Sequence, residues 1–107
     1  MNAVEETLAA AQARIDAPWK WTQFLSARDD RDRLVDAQDP AACKFCGLGA
    51  IWAVADYNSP AAERAMEFLE RAIGSQSFSV WQDAPNRTHA EVMAAFTRAI
   101  ELARAGL

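Results

Sequence analysis

Residues 88–104 read THAEVMAAFTRAIELAR and contain the clearest helix signal of the chain. Thr88 and Glu91 are spaced as in a capping box, in which each side chain binds the backbone N–H of the other residue. After them, apolar residues recur at intervals of three and four along one helix face. These are Val92, Phe96, Ala99, Ile100 and Ala103, with Gly106 just past the end. The stretch therefore predicts a C-terminal helix that packs on a core through one face.

The N-terminal part of the chain predicts one further helix, followed by irregular structure. Asn2 and Glu5 form a second capping-box-like pair. Ala17-Pro18 ends this helix, because a residue that precedes proline avoids the helical backbone conformation. Residues 19–25 mix tryptophans with polar residues and predict a short irregular segment whose rings pack on the core. Residues 26–39 carry closely spaced charges of both signs and predict a solvated loop.

Residues 41–57 are predicted to form the central helix of the fold. Asp39 suits the N-cap position and Pro40 the first helical position. Lys44 and Asp56 are the charged residues of this stretch, and a helix that is apolar nearly all round is a buried one. Its glycines at positions 47 and 49 predict either a bend or a close approach of another backbone.

A third predicted helix begins at Ser59-Pro60 and runs to about Ile73, where Gly74 stops it. Residues 75–81 fit a short helical turn and an extended segment equally well. The sequence thus predicts an all-α fold: a single compact domain over residues 1–107, with about four helices around the buried central helix 41–57.

Composition limits the classes of function. The chain has 107 residues, of which 51% are hydrophobic, and a net charge of −4. This acidic balance lacks the basic surface that nucleic acids and anionic membranes require, so neither partner is expected. The first residues show no basic or long apolar stretch typical of a secretory signal, and we expect a cytoplasmic protein. Cys43 and Cys46 are then expected as thiols.

Three sequence blocks resemble a family of small uncharacterised bacterial and phage proteins. The blocks read CGLGAI at 46–51, SFSVWQD at 77–83 and RTHAEV at 87–92. The family shows C-A-L-G-A-L, S-I-x-x-W-N-D and R-T-x-x-E-V in the same order. Gln82 stands where the family usually has Asn, and Gly47 where Ala is common. The resemblance implies a bacterial or phage accessory protein and supplies no established activity.

The corner formed by Trp81, Asp83 and Arg87 is the main candidate binding site. Together with Trp21 and Gln23 it offers indole rings and directional hydrogen-bonding groups, as a small recognition pocket requires. A purely structural role is favoured over this one. In it, Trp81 closes one end of the core, Asp83 accepts hydrogen bonds from loop amides, and Arg87 pairs with Asp83.

The cysteines supply the competing enzyme hypothesis. A thiol near a helix N-terminus is made more reactive, and Cys46 with His89 or Asp83 as its helper would resemble a nucleophile and its base. His89 is the single histidine and is predicted to be exposed in the first turn of the last helix. Without a second cysteine or histidine pair, we expect no metal site and no cofactor. We favour the interpretation that both cysteines are small side chains buried on the core helix.

Two further hypotheses concern protein partners. The acidic stretch 29–39 could imitate a phosphate backbone, as in a phage-type inhibitor that acts by protein contact, although Arg31 and Arg33 reduce its local field. Four tryptophans in so short a chain also leave homodimerisation open. The sequence favours a small non-catalytic binding or protein-interaction module, whose partner is an unknown protein or small ligand.

Overall fold

Two capping boxes fix where the first and the last helix of the chain begin. In the computed structural model, which describes residues 1–106, the Asn2 side chain accepts a hydrogen bond from the Glu5 N–H, and the Glu5 carboxylate accepts one from the Asn2 N–H. Thr88 and Glu91 form the same reciprocal pair. Over these residues the helices are α1 (Ala3–Arg14), α2 (Gly47–Val54), α3 (Pro60–Ala72), α4 (Phe78–Gln82) and α5 (His89–Arg104).

The predicted all-α class is confirmed. The helices α1, α3 and α5 pack against one another, and α2 contacts α1, α3 and α4. The largest fully buried apolar side chains come from every helix or helix end: Leu8, Ile15, Ile51, Leu69, Phe78, Val92 and Phe96. Besides a 3-10 turn at Pro18–Lys20, the described chain contains two short strands, β1 (Ala27–Arg28) and β2 (Lys44–Phe45), which pair antiparallel.

The predicted central helix over residues 41–57 is wrong in its extent. Asp39 does not cap a helix; it begins a turn, in which its carboxylate accepts from the Ala41 N–H and its carbonyl from the Ala42 N–H. Proline at the second position of a turn is as favourable as proline at a helix start. The following β2 buries Phe45 in the core, as a core helix would, so hydrophobicity alone did not separate this strand from the helix. Helix α2 itself begins only after Cys46.

Cys46 is the N-cap of α2, and two glycines follow within its first turn. The Cys46 Sγ accepts a hydrogen bond from the Gly49 N–H at 3.2 Å. A Cβ added to Gly49 would lie 1.8 Å from the Ser26 carbonyl oxygen, and one added to Gly47 would lie 2.5 Å from the Phe78 ring. The predicted close approach of another backbone is therefore confirmed at Gly49, although it occurs at a helix start.

Residues 26–39 are not simply the solvated loop that their charges predict. Ala27 and Ala37 are buried, and Asp29 is 4% exposed. The Asp29 carboxylate accepts from the backbone N–H groups of Arg31 and Arg33 and from the Arg33 guanidinium, each at 2.9 Å. The bond from the Arg33 N–H is the main reason that the pKa of Asp29 lies below its usual value. Charges of alternating sign here satisfy one another within a tight turn.

Two shorter stretches complete the comparison with the predictions. Of the two structures that fitted residues 75–81, the short helical turn is correct and the extended segment is wrong, because Ser77 caps the single turn of α4. In the segment 19–25, Trp21 packs against the core, whereas Trp19 and Phe24 are exposed, so the prediction that its rings pack inward is only partly right. Among residues 1–106, no helix combines the length and the apolar character needed to cross a membrane.

Candidate functional site

The side-chain amide of Gln82, the last residue of α4, is the centre of the candidate site. Gln82 is 2% exposed. Its Oε1 accepts from the Trp21 indole N–H and from the Gly47 backbone N–H, both at 2.9 Å. Its Nε2 donates to the Asp83 carboxylate. Both the oxygen and the nitrogen of this buried amide therefore have hydrogen-bond partners, and the amide joins the segment 19–25 to the first turn of α2.

Gln23 and Asp83 extend this network to the surface. The Gln23 Nε2 donates to the Gln82 carbonyl at 2.8 Å and to the Ala84 carbonyl at 3.1 Å. The Asp83 Oδ1 accepts from the Phe24 N–H at 2.9 Å, as predicted for a loop amide. Phe24 has a φ of 73°, in the left-handed region that bulky residues rarely adopt. Asp83 thus holds an exposed phenylalanine in a fixed backbone conformation.

The predicted pairing of Arg87 with Asp83 is wrong. The Arg87 Nη1 pairs with Glu91 at 2.9 Å, and its Nε donates to the Trp81 carbonyl at 2.8 Å. Its guanidinium lies over the Trp81 indole, 3.9 Å from the ring centre. The start of α5 presents Glu91 one helical turn after Arg87, which makes this carboxylate the local partner.

The predicted site residues therefore divide between two sides of α4. Trp21, Gln23 and Asp83 meet around Gln82 on the inner side, and Trp81 stacks with Arg87 on the outer side. Sequence reasoning missed the central role of Gln82, which it had singled out only as a departure from the family pattern. The signal that could have found it is a glutamine at the amide position of the S-I-x-x-W-N-D block.

A small cavity opens beside the inner side. Its volume is about 180 Å³, and Phe24, Cys46 and Trp52 are among the residues that line it. Half of the lining residues contribute polar groups: Ser26, Cys46, Ser79, Gln82 and Asp83. The remaining lining residues are Leu25, Leu48 and Phe78. The cavity therefore combines an apolar wall with an acidic edge at Asp83.

The two predicted components of a cysteine enzyme have other roles. Burial raises the pKa of the Cys46 thiol, and the neighbouring negative charge of Asp83 raises it further. The N–H groups of the first turn of α2 oppose this effect without overcoming it. The Nε2 of His89 lies 2.6 Å from the Ile15 carbonyl oxygen, and the ring is half-buried rather than exposed as predicted. This geometry favours capping and packing over nucleophilic catalysis.

The other cysteine and the acidic residues also fail to assemble a metal-binding cluster. Cys43 is exposed, and its Sγ lies 3.7 Å from the Arg28 carbonyl oxygen. Within residues 1–106, no three histidine, cysteine, aspartate or glutamate side chains are grouped as a metal ion would require.

Comparison with known proteins finds a matching family, but this family has no known activity. The model of a family of unknown function, DUF6197, matches residues 1–102. No curated protein and no solved structure matches the chain. The family match covers all three of the sequence blocks that carried the resemblance.

Proposed function

The chain belongs to DUF6197, a family of unknown function, and we propose that it is a non-catalytic module that binds a partner protein beside Phe24. The observation that carries the proposal is the conformation of this residue. Its ring is 71% exposed, and its left-handed backbone is held by the Asp83 carboxylate. Such a conformation costs about 1 kcal/mol for a residue with a side chain. A strained, exposed aromatic residue with a dedicated hydrogen bond is typical of a binding surface.

The size of the adjacent cavity favours a protein over a free small molecule. Pockets for drug-sized ligands usually have volumes of about 300–1,000 Å³. The cavity beside Phe24, at about 180 Å³, suits one inserted side chain instead. Interfaces between proteins commonly combine an aromatic anchor with a pocket that a partner residue fills. Phe24 and the cavity would supply both parts.

A capture experiment with matched variants tests this proposal. The wild-type chain, Phe24→Ala and Trp19→Ala are immobilised separately and exposed to lysate of the source organism. Trp19 is the control because its ring is 73% exposed and does not line the cavity. We expect a protein that the wild type and Trp19→Ala retain and that Phe24→Ala loses. Equal retention by all three forms would contradict the proposal.

The same comparison separates the remaining types of partner. A host protein retained through Phe24 would support a phage-type inhibitor that acts by protein contact. A second copy of the chain would support the homodimer, and native mass spectrometry of the purified protein would then give twice the mass of the chain. Thermal unfolding of each variant checks that a lost partner does not reflect a lost fold.

Thiol alkylation separates the binding module from the cysteine-dependent enzyme. Cys46 is partly buried and its pKa is raised, whereas Cys43 is exposed. We expect iodoacetamide at neutral pH to modify Cys43 first and to reach Cys46 only after unfolding, because the thiolate is the reactive form. Faster modification of Cys46 than of a model cysteine would instead support the enzyme hypothesis.

A further inference from the structure

Three separate hollows share Trp52 as a lining residue, and their combined lining is called the Trp52 surface below. The first is the cavity beside Phe24. The second has a volume of about 420 Å³, shares Ser26 and Trp52 with the first, and extends to Leu34. The third has a volume of about 360 Å³, shares Leu48 and Trp52 with the first, and lies along α3. Trp52 therefore lies between three hollows, of which the Phe24 cavity is the smallest.

The charged residues of the Trp52 surface are all acidic. Among the described residues, its lining contains no lysine, arginine or histidine. It contains five carboxylates: Asp36, Glu63, Glu67, Glu70 and Asp83. Among them only Glu67 forms an ion pair within residues 1–106, with Arg64. The other four carboxylates have no ion-pair partner among residues 1–106, so the surface carries a predominantly negative charge.

Asp36 and Asp83 are the two aspartates of this surface, and each is held in place through one carboxylate oxygen. The Asp36 Oδ1 accepts from the Tyr57 hydroxyl and the Gln38 N–H, and these bonds hold the pKa of Asp36 below its usual value. Its Oδ2 accepts no hydrogen bond from residues 1–106. Asp83 repeats the pattern: Oδ1 binds Phe24 and Gln82, while Oδ2 has no partner in the described chain. Each aspartate is held in place by one oxygen and offers the other.

An aromatic pair lines the same hollow as Asp36. The rings of Trp52 and Tyr57 lie 5.1 Å apart at an angle of 59°, and both line the hollow that contains Asp36. Aromatic rings next to a carboxylate favour a cationic group, since the ring face attracts positive charge. This end of the Trp52 surface therefore suits a lysine or arginine head group, and the Phe24 cavity suits an apolar side chain.

We propose, on the basis of the function proposed above, that the Trp52 surface binds a basic segment of the partner protein. In this arrangement an apolar side chain of the segment fills the cavity beside Phe24. Lysine or arginine side chains flank it, one at Asp36 with Trp52 and Tyr57, the other at Asp83. Complementary charge across such a surface speeds association and excludes acidic partners.

Selection of peptides from a random library tests the chemistry of the occupant. The probe is a display library of random twelve-residue peptides, selected on the immobilised full chain and counter-screened on Phe24→Ala. We expect the enriched peptides to carry lysine or arginine on both sides of an apolar residue and to lose binding to Phe24→Ala. Enriched peptides that need Phe24 but are neutral or acidic would overturn this inference and leave the proposed function standing. Enrichment that ignores Phe24, or none at all, would overturn both.

Charge-neutralising variants then locate the basic contacts. Asp36→Asn and Asp83→Asn each remove the negative charge from one proposed basic contact and keep a side-chain oxygen, whereas Asp30→Asn removes a charge from an exposed position outside the surface. We expect the Kd of a selected peptide to rise about two- to fivefold for each of the first two variants, as for exposed ion pairs, and to stay unchanged for the third. Added salt should weaken wild-type binding. Equal effects of the three variants would overturn the inference, because they would reflect net charge alone.

Discussion

The two sides of α4 hold their polar side chains in opposite ways. On the inner side, Gln82 is buried and bonds to the indole of Trp21 and the backbone of Gly47, groups that lie far away in the sequence. On the outer side, Arg87 stacks on Trp81 and pairs with Glu91, all within ten residues and partly in contact with water. Buried donors that lose their acceptor cannot turn to water, whereas exposed ones can. The inner side should therefore dominate stability.

The largest effect is expected for Gln82→Ala. This change leaves the Trp21 indole N–H and the Gly47 N–H without an acceptor. Since an unsatisfied buried donor costs about 1–3 kcal/mol, we expect the free energy of unfolding to fall by about 3 kcal/mol. Urea unfolding followed by circular dichroism measures it. The control is Gln76→Ala, an exposed glutamine that donates to the Ile73 carbonyl and should cost at most about 0.5 kcal/mol. Similar losses for both variants would contradict the inner-side network.

Arg87→Ala tests the outer side and should have a smaller effect. The variant loses the stack on Trp81, the ion pair with Glu91 and the partly buried hydrogen bond to the Trp81 carbonyl, which water can replace in part. A cation–π contact and an ion pair at the surface each contribute up to about 1 kcal/mol, so we expect a loss of about 1.5 kcal/mol in the same assay. Arg98→Ala is the control, because Arg98 makes only a 3.8 Å pair with Glu101 and is well exposed. A loss as large as that of Gln82→Ala would abolish the contrast between the two sides.

The variant Thr88→Ala tests how much of the stability of the outer side depends on the helix cap alone. The Thr88 Oγ1 accepts the Glu91 N–H at 3.2 Å and begins α5. Loss of such a cap costs about 1 kcal/mol, and Thr88→Ser should recover most of it because serine keeps the hydroxyl. Hydrogen exchange of the first-turn amides of α5 provides the measurement. Unchanged exchange in Thr88→Ala would mean that Arg87 and Glu91 hold the helix start without the cap.

How well the sequence predicts a contact depends on how far apart the two residues lie along the chain. Both capping boxes were predicted correctly, because their partners lie three residues apart in the sequence. The partner of Arg87 was not, since Asp83 and Glu91 each lie four residues away and only the start of α5 decides between them. Local spacing therefore predicts the helix ends well and side-chain pairing poorly.

Contacts between distant segments could be predicted only in outline. The grouping of Trp21, Gln23 and Asp83 was expected, but its centre at Gln82 depends on partners 35 and 61 residues away. Likewise, β2 pairs with β1 across the chain, so the apolar stretch after Asp39 had no local feature that separated a strand from a helix. Its glycines marked the close contact with Ser26 without saying where α2 begins.

The smallest expected effect on stability comes from the charge of Glu91 on the outer side, and it can be measured by changing the pH. The Thr88 N–H, followed by the Thr88 hydroxyl and Arg87, lowers the pKa of Glu91 below its unfolded value. A lowered carboxyl pKa adds stability above the unfolded pKa of about 4.3, and this stability is lost as the pH falls through the folded pKa. The wild type should thus exceed Glu91→Gln in stability at neutral pH, and thermal unfolding should show the difference shrinking below about pH 4. The loss in Gln82→Ala should persist there, because an amide does not titrate. If both differences faded together, the inner side too would depend on charge, and burial alone could not explain its greater stability.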